Sequence, residues 1–303
     1  MSEPETFESL RPLLFSIAYR MLASVSDAED IVQDTFLRYQ HALAEEGARI
    51  ESLKSYLSAT VTRLAIDQLR SARARRETYV GQWLPEPIVT DGGDPLSDTE
   101  RAESISMAFL VVLQRLRPVE RAVFLLHDVF GYGFAEIADI VGKSEDNCRQ
   151  LALRARKHVE ADRPRFEPDV ALREDLARRF FAAVSDGNVG ALMQMVSDDA
   201  VVYGDGGGKA PQWSKPIVGR DRVAQLLAGV GARVRDLGGR LALREINGQP
   251  GAMVFDREQR LISVFSIDVA GGVVRALRSV INPDKLRHLG PLADIRALLS
   301  SAS

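Results

Sequence analysis

The apolar residues of this chain repeat with one period in its first half and with another near its end, and this change limits what it can fold into. Over most of the first 160 residues they recur at every third or fourth position, which is the spacing of amphipathic helices. After residue 240 they form short runs separated by Asn247-Gly248 and Gly271-Gly272, a pattern typical of strands joined by hairpin turns. The sequence therefore predicts helical domains followed by an α+β domain.

Three helices are predicted before residue 80. Apolar stripes run over residues 7–21 and 53–69, and each marks one amphipathic helix. Between them, Ser26 and Glu29 have the spacing of a capping box, which predicts that the second helix opens at Ser26. Three such helices can bury their apolar faces against one another as a small bundle.

The helical period breaks at residues 81–97, which contain three prolines and three glycines, so we interpret this stretch as a linker. Its sequence Trp-Leu-Pro-Glu-Pro at 83–87 is unusual, because a solvated spacer has no use for exposed Trp83 and Leu84. We expect this motif to dock on another part of the protein. A local contact with the preceding bundle is the alternative.

A helix-turn-helix is predicted after the linker. Pro118 suits the first position of a helix, and residues 134–141 again have a helical period. Gly142-Lys143-Ser144 then supplies a three-residue turn, with Ser144 as the cap of the following helix. A plain helical hairpin has the same spacing and is the alternative.

The last part of the chain predicts a single α+β domain. Because the helices come first and a strand meander follows, we expect an antiparallel sheet. The helices are expected over 170–185, 189–196 and 220–234, and the strands over 240–246, 252–255, 261–269 and 273–281.

Charge is distributed unevenly along the chain, although its formal sum is only −3. Residues 61–80 carry five basic and two acidic side chains, and residues 141–165 carry seven basic and four acidic ones. Residues 1–60 and 81–100 each have an excess of five acidic side chains. Basic islands among acidic segments indicate contact with a polyanion such as nucleic acid. Solvated helix faces without a ligand are the alternative.

Both basic islands offer candidates for DNA contact, because arginine can donate two parallel hydrogen bonds to a phosphate. In a helix-turn-helix, the N-terminal turns of the second helix reach base edges in the major groove. The first set of candidates is Arg63, Asp67, Arg70, Arg73, Arg75 and Arg76, and the second set is Asn147, Arg149, Gln150, Arg154 and Lys157.

Other classes of site are disfavoured. The four histidines lie far apart in sequence, so we expect no metal and no cofactor. Residues 204–209 resemble a phosphate loop, but Tyr203 and Ala210 stand where that motif requires glycine and a hydroxyl residue. The lone Cys148 is expected to fill space rather than to react. The absence of membrane-length apolar runs and of a secretory signal predicts a cytoplasmic protein without membrane contact.

Three segments of the first half carry the motifs of one family. Residues 26–38 read Ser-Asp-Ala-Glu-Asp-Ile-Val-Gln-Asp-Thr-Phe-Leu-Arg, residues 55–70 form the first basic helix, and residues 116–121 read Leu-Arg-Pro-Val-Glu-Arg before the helix-turn-helix. They resemble, in that order, region 2.2, the −10 reading helix and region 4 of the extracytoplasmic-function (ECF) bacterial sigma factors. Two positions depart from the pattern, because many members have Asn at Arg63 and a basic residue at Leu151.

The resemblance implies a transcription initiation factor that is not an enzyme. Its implied partners are core RNA polymerase, through the β′ clamp helices and the β flap, and promoter DNA at the −10 and −35 elements. A repressor that binds duplex DNA without polymerase is a rival hypothesis, which leaves the acidic second helix unexplained. The implied polymerase-binding residues are Asp27, Glu29, Asp30, Gln33, Asp34 and Phe36.

Three further motifs resemble those of the SigJ-like subgroup, which carries a fused C-terminal SnoaL-like α+β cone. The resemblance implies that this domain regulates the sigma half without a separate anti-sigma factor. We expect the motifs to form contacts that fix the two DNA-reading modules relative to this domain. A small-ligand sensor or a retained cyclase or isomerase is the alternative, with Tyr203, Asp205 and Asp268 as polar candidates. The motif residues are Trp83, Leu84, Pro85, Glu86, Pro87, Asp205, Gly206, Gly207, Gly208, Lys209, Asn282, Pro283, Asp284, Lys285 and Leu286.

These resemblances divide the chain into five parts. The expected parts are a sigma region 2 domain at 1–80, a linker at 81–101, a region 4 domain at 102–163, a SnoaL-like domain at 168–290 and a tail at 291–303.

Overall fold

The computed structural model describes residues 6–45, 50–77, 79–90, 104–161 and 169–300. By its contacts the chain forms two compact units. The first joins Met1–Thr78 with Leu110–Arg163, and the second joins Tyr79–Phe109 with Pro164–Ser303. The segment between the two parts of the first unit therefore packs with the C-terminal part of the chain.

The first unit begins with three helices, as the apolar stripes predict. They are α1 (Phe7–Leu22), α2 (Val25–Ala44) and α3 (Leu53–Glu77). Each faces the other two with one apolar side, which forms the core of the bundle. Completely or nearly completely buried residues include Leu14, Ile17, Ala18, Met21, Ala28, Val32, Leu57, Val61 and Ala65.

The predicted capping box of Ser26 and Glu29 is wrong. Helix α2 begins one residue earlier, at Val25, and Ser24 is its N-cap, accepting a hydrogen bond from the Asp27 backbone N–H at 3.2 Å. The reason lies in Ala23, which ends α1 in the left-handed conformation with φ of 57°. The chain therefore re-enters a helix at once, and Ser26 already lies in its first turn.

Within the described residues 104–161, four more helices and one π-helical turn follow. Pro118 occupies the first position of its helix, as predicted, because proline has no N–H to lose there. The elements are α4 (Met107–Leu113), α5 (Pro118–Phe124), the π-turn Leu125–Val129, α6 (Phe134–Val141) and α7 (Glu145–Ala161).

The second unit packs helices against one six-stranded sheet. Its helices are α8 (Val170–Asp186), α9 (Val189–Met195), α10 (Arg220–Asp236) and α11 (Ile295–Ser300), with 3₁₀ turns at Pro283–Lys285 and Arg287–Leu289. Its strands are β1 (Val196–Asp205), β2 (Ile217–Val218), β3 (Arg240–Ile246), β4 (Gln249–Phe255), β5 (Leu261–Ala270) and β6 (Val273–Val280).

The sheet has the order β2-β1-β6-β5-β4-β3 and is mixed. The meander β3 to β6 is antiparallel, as predicted, but an entirely antiparallel sheet is wrong because β1 pairs in parallel with β6. Strand β1 was not predicted, since it follows α9 without a turn and its first residue, Val196, is followed by the polar run Ser197-Asp198-Asp199. The fold class itself, two all-α regions followed by an α+β domain, is confirmed.

Both predicted hairpin turns are present. Asn247 and Gly248 have φ of 53° and 66°, and Gly271 and Gly272 have φ of 60° and 71°. Left-handed conformations at both central residues match the twist of the flanking strands. Between β3 and β4, this turn places the side chain of Asn247 in the interior, where it is fully buried.

The core of the second unit lies between the helices and one face of the sheet. Phe180 of α8, Leu227 of α10 and Ile267 of β5 are each at most 2% exposed within it. Helices α8 and α10 approach closely at Gly231, where a Cβ would stand 1.7 Å from the Val184 carbonyl oxygen. Within the described residues, no helix is both long and apolar enough to cross a bilayer.

Candidate functional site

Helix α2 presents an acidic face to solvent. Its residues Ala28, Ile31 and Val32 are buried in the bundle, so the positions between them face outward. Phe36 is half-buried, and its ring centroid lies 4.9 Å from that of Phe7. Of the other residues predicted to bind polymerase, Asp27 is half-buried and Glu29, Asp30, Gln33 and Asp34 are exposed.

An apolar residue lies within this acidic face. Leu37 follows Gln33 and Asp34 by one helical turn and is 49% exposed. Glu29 pairs with Arg11 of α1 at 2.7 Å, but both side chains are about half exposed, so water screens the pair. The exposed side of α2 therefore combines acidic residues with the apolar side chain of Leu37.

The guanidinium of Arg63 binds the C-terminal end of α6. Its Nε donates to the Ile140 carbonyl at 2.9 Å, and its Nη2 donates to the Asp139 carbonyl at 2.8 Å. Carbonyls at a helix C-terminus lack intrahelical partners and carry partial negative charge, so they suit a cation. Arg63, one of the six residues predicted to contact the −10 element, is therefore bound to the helix-turn-helix in this structure.

Two side-chain hydrogen bonds extend this contact between α3 and the helix-turn-helix. The hydroxyls of Ser58 and Tyr132 meet at 2.7 Å in a buried position, and Ser55 donates to Glu136 at 2.9 Å. Both join residues more than 70 positions apart in sequence. The two predicted DNA-reading elements therefore pack together within the first unit.

The rest of the first basic island has a different environment. Asp67 and Arg70 form an exposed pair at 3.1 Å, one helical turn apart as predicted. Because both side chains are more than 60% exposed, the pair contributes little stability and can be exchanged for another ligand. Arg73, Arg75 and Arg76 belong to α3, and their side chains lie outside the described residues.

The helix-turn-helix has the predicted bounds. Helix α6 ends at Gly142 in the left-handed conformation with φ of 64°, and Ser144 accepts a hydrogen bond from the Asn147 backbone N–H at 3.3 Å. The predicted turn and cap are confirmed. The two helices share a core that includes Ile137, Ile140, Cys148, Leu151, Ala152 and Ala155.

The predicted −35 residues all lie on the exposed side of α7. Arg149 pairs with Glu145 at 2.7 Å and with Asp146 at 3.1 Å, and its guanidinium lies 5.4 Å from the Phe134 ring centroid. Exposed ion pairs of this kind are worth about 0–1 kcal/mol, so a phosphate or base edge can replace them at low cost. The exposed set is Asn147, Arg149, Gln150, Arg154 and Lys157.

Two residues of α7 face inward instead. Leu151, one of the two positions that depart from the family pattern, is 8% exposed and belongs to the core of the helix-turn-helix. Cys148 is fully buried, and burial raises the pKa of its thiol. A protonated, inaccessible thiol is a poor nucleophile, in agreement with a space-filling role.

In the second unit, the linker docks around a buried ion pair. Lys285 Nζ lies 2.7 Å from Asp205 Oδ2, and the two side chains are 8% and 0% exposed. The same carboxylate accepts the Leu84 backbone N–H at 2.8 Å and the Tyr79 hydroxyl, which in turn accepts from Asn282 Nδ2 at 2.9 Å. We call Tyr79, Leu84, Asp205, Asn282 and Lys285 the linker anchor.

Aromatic rings complete the environment of the Lys285 ammonium. Its Nζ lies 4.3 Å from the Trp83 ring centroid and 5.0 Å from that of Tyr79, and it donates to the Leu84 carbonyl. Cation–π contacts and these hydrogen bonds offset the loss of hydration. Pro87 is held by His288, whose Nε2 is 2.7 Å from its carbonyl oxygen. The structure thus brings the three motifs of the second unit together.

Tyr79 is the hydrogen-bond donor at the centre of the anchor. Burial raises the pKa of its hydroxyl, and the hydrogen bond to Asp205 and the negative charge of that carboxylate raise it further. The phenol therefore stays protonated at neutral pH and can donate to the carboxylate.

The glycine run in this motif allows close packing. Gly207 has φ of 58°, and a Cβ there would stand 2.2 Å from Asn282 Nδ2. A Cβ at Gly208 would stand 3.1 Å from Val80, and Lys209 pairs with Asp284. The loop is shaped around the linker anchor rather than around a phosphate. Of the remaining motif residues, Pro85, Glu86, Pro87 and Leu286 are buried, Pro283 opens the first 3₁₀ turn, and Gly206 approaches the Ala210 carbonyl.

The linker continues along the β3–β4 hairpin. This contact was not predicted from the sequence. Ile88 exchanges two hydrogen bonds with Asn247 at 2.8 and 3.0 Å. Thr90 donates to Glu245 from its backbone at 2.9 Å and from its hydroxyl at 2.6 Å. Asn247 also donates to the Ile105 carbonyl at 2.9 Å, so one buried amide binds both Ile88 of the linker and Ile105 beyond it.

Two family models match the helical part of the chain. The model of Sigma-70 region 2 matches residues 6–75, and that of Sigma-70, region 4 matches residues 106–159. The ECF RNA polymerase sigma factor SigJ of Mycobacterium tuberculosis (strain ATCC 25618 / H37Rv) is 40% identical over 97% of this chain and 96% of its own length. The chain belongs to the ECF sigma factors.

Solved structures extend the family relation to the second unit. The crystal structure of the Mycobacterium tuberculosis sigma factor SigJ is similar with a TM-score of 0.74 and 35% identity, covering 95% of this chain and 99% of that one. The ferric citrate uptake sigma factor FecI of Escherichia coli (strain K12) is 32% identical over 50% of this chain and 88% of its own length. In this ECF sigma factor, region 2 corresponds to α1–α3 and region 4 to α4–α7.

The polar candidates for catalysis in this sigma factor have structural partners. Asp205 belongs to the linker anchor, and Asp268 forms a buried ion pair with Arg278. The Arg278 guanidinium also lies 5.4 Å from the Tyr203 ring centroid. Within the described ranges, no group of three His, Cys, Asp or Glu side chains is placed to hold a metal ion.

Proposed function

We propose that this sigma factor directs core RNA polymerase to specific promoters as part of a holoenzyme. One observation carries the proposal. The exposed acidic face of α2 lies on a bundle that matches sigma region 2, in the same chain as a helix-turn-helix that matches region 4. In this proposal α2 binds the β′ clamp helices, and the region 4 domain binds the β flap as well as DNA.

The two basic helices divide promoter recognition. In α3, Arg63, Asp67 and Arg70, with the three arginines that follow, contact the −10 element. In α7, Asn147 and the residues on its exposed side contact the −35 element in duplex DNA. The exposure of the α7 set supports this assignment, and the pairing of Arg149 with acids of its own helix is weak enough to be exchanged.

The contact between α3 and α6 defines a resting state of the first unit. For Arg63 to reach DNA, its guanidinium must leave the carbonyls of Asp139 and Ile140. The buried hydrogen bond between Ser58 and Tyr132 opposes the same movement. Separation of the two regions therefore accompanies promoter binding.

The second unit regulates the sigma regions through the docked linker, and no separate anti-sigma factor is required. The support is that the segment between regions 2 and 4 is held by buried groups of the C-terminal domain. The protein acts in the cytoplasm, where polymerase and promoter DNA meet. We expect its C-terminal domain not to be catalytic, and the support is that Asp205 and Asp268 are held in buried ion pairs.

Run-off transcription with core polymerase and a library of promoter fragments tests the proposal. The double substitution Asp30→Ala with Asp34→Ala should weaken core binding by about tenfold or more, whereas Asp221→Ala, an exposed acid of α10, should not. Arg149→Ala should retain core binding but lose about tenfold in promoter affinity. No specific transcript from any fragment with the parent protein would contradict the proposal.

The regulatory role has its own test. Combined substitution of Trp83, Leu84 and Lys285 should alter the amount of transcript per holoenzyme, because it releases the linker. The substitution Val80→Ala, at an exposed residue just before the linker, serves as the control. Unchanged output from the combined variant would refute regulation through the linker anchor while leaving promoter recognition intact.

A further inference from the structure

A cavity of about 300 Å³ lies between α8 and the strands β3 and β4. Ala177, Leu243 and Pro250 give it an apolar wall, and Arg173, Glu174 and Glu245 are among its polar residues. We call it the α8–β3 cavity. None of the residues assigned above to DNA, polymerase or the linker anchor lines it.

Arg173 is the unusual residue of this cavity. It is 8% exposed, and its Nε is buried without a hydrogen-bond partner among the described residues. Over the same residues, no carboxylate forms an ion pair with its guanidinium. A buried cation without a counter-ion is unfavourable. A bound ligand that accepts hydrogen bonds from Arg173 would remove this penalty.

The other charged residues around the cavity already have partners or are solvated. Arg178 pairs with Asp175 at 3.0 Å, and Arg244 donates to the Leu243 carbonyl at 2.8 Å. Glu174 is exposed, and Glu245 accepts the Thr90 hydroxyl at 2.6 Å. The lining holds three arginines and two glutamates, and Asp175 compensates Arg178, so the buried guanidinium of Arg173 decides the charge of the ligand. The complementary ligand is therefore an anion.

We propose that the α8–β3 cavity binds a small organic anion, whose carboxylate or phosphate is held by Arg173 and whose apolar part contacts Ala177, Leu243 and Pro250. A guanidinium can hold either group through two parallel hydrogen bonds. A volume of about 300 Å³ lies at the lower end for small-molecule sites and suits a compact metabolite. The ligand would lie beside the linker, because Glu245 contacts both the cavity and Thr90.

Titration of the full chain with phenyl phosphate, benzoate and inorganic phosphate tests the site. Isothermal calorimetry should show millimolar or tighter binding of phenyl phosphate and benzoate, with inorganic phosphate weaker because it lacks the apolar part. Arg173→Met should weaken both organic anions by about tenfold or more, since a hydrogen bond to a charged group is lost. Arg222→Met, at an exposed arginine of α10, should bind like the parent.

The thermal midpoint separates this proposal from a structural role of Arg173. Without ligand, Arg173→Met should melt at the same temperature as the parent or higher, because it removes an uncompensated buried charge. Leu243→Glu changes a residue that is 44% exposed, so it should fold and yet repel the anion. A lower midpoint of Arg173→Met without ligand would overturn the site, as would equal binding to parent and variant or no binding to the parent. These readouts need no polymerase, so they are independent of the proposed role in transcription.

Discussion

At the residue scale, the most consequential pair is Asp205 with Lys285. Both side chains are almost completely buried, and both also bind the backbone of Leu84. Removing one partner of a buried pair leaves the other charged and unpaired, which typically costs about 3–5 kcal/mol. This pair therefore couples the stability of the second unit to the docking of its linker.

We expect Lys285→Met to lower the free energy of unfolding of the second unit by about 3 kcal/mol, measured by urea unfolding. Both tryptophans, Trp83 and Trp213, belong to that unit, so their fluorescence reports on it. Lys209→Met is the matched control, because the Lys209–Asp284 pair joins the same two motifs but is exposed, and its loss should cost less than 1 kcal/mol. Equal costs for the two variants would contradict the argument.

Adding Asp205→Asn to Lys285→Met should restore part of the lost stability, because the remaining side chain is then uncharged. A double-mutant cycle in the same urea experiment measures this coupling. Strict additivity of the two substitutions would show that the charges act separately.

The pH dependence of the anchor follows from Tyr79. Since the pKa of its hydroxyl is raised in the folded protein, the folded state keeps this proton when the unfolded chain loses it. This contribution to stability is complete below the ordinary tyrosine pKa of about 10 and is lost as the pH rises above it. Urea unfolding between about pH 9 and pH 11 should therefore show a steeper loss for the parent than for Tyr79→Phe. Identical slopes would exclude the role given to this hydroxyl.

At the element scale, local signals decided how much could be predicted. The helix-turn-helix was predictable because its glycine, serine cap and apolar period are adjacent in sequence. Strand β1 was not, because its parallel pairing with β6 joins residues about 75 positions apart and its first residue, Val196, is followed by a polar run. The partners of Arg63 could not be predicted either, because a sequence does not indicate which backbone carbonyls a distant side chain will contact.

The start of α2 gives a test at this scale. Because Ser24 is the N-cap, Ser24→Ala should lower the free energy of unfolding by about 1 kcal/mol. Ser26→Ala, in the first turn, should cost less than half of that, since alanine is the better helix former. Guanidinium unfolding followed by circular dichroism measures both. A larger loss of stability for Ser26→Ala than for Ser24→Ala would instead support the predicted capping box of Ser26 and Glu29.

At the scale of the whole molecule, the chain passes from one compact unit to the other and back. Tyr79–Phe109 lies in sequence between two parts of the first unit but packs with the second. The sequence indicated that residues 83–87 dock, whereas the pairing of Thr90 with Glu245 and of Ile105 with Asn247 had no local signal. The domain boundaries drawn from sequence remain predictions.

A version of the protein that ends at residue 165 tests this chain path. Leu84, Ile105 and Met107 are buried in the full chain, and removal of the C-terminal sheet takes away their cover. We expect limited proteolysis to cleave the shortened version within residues 79–90 and 104–109 much faster than the full chain, with fragments identified by mass spectrometry. Cleavage within α1 and α2 is the internal control and should not change. Equal rates in the linker would contradict the packing described.

Gly207 and Asn282 place an evolutionary constraint on this chain. The side chain of Asn282 occupies the space that a Cβ at position 207 would need, and Asn282 in turn donates a hydrogen bond to Tyr79 just before the linker. A substitution at any of these three positions weakens the contacts that the other two make. Related sequences should therefore contain the linker motif, the glycine run and the Asn-Pro-Asp-Lys-Leu segment together, or lack all three.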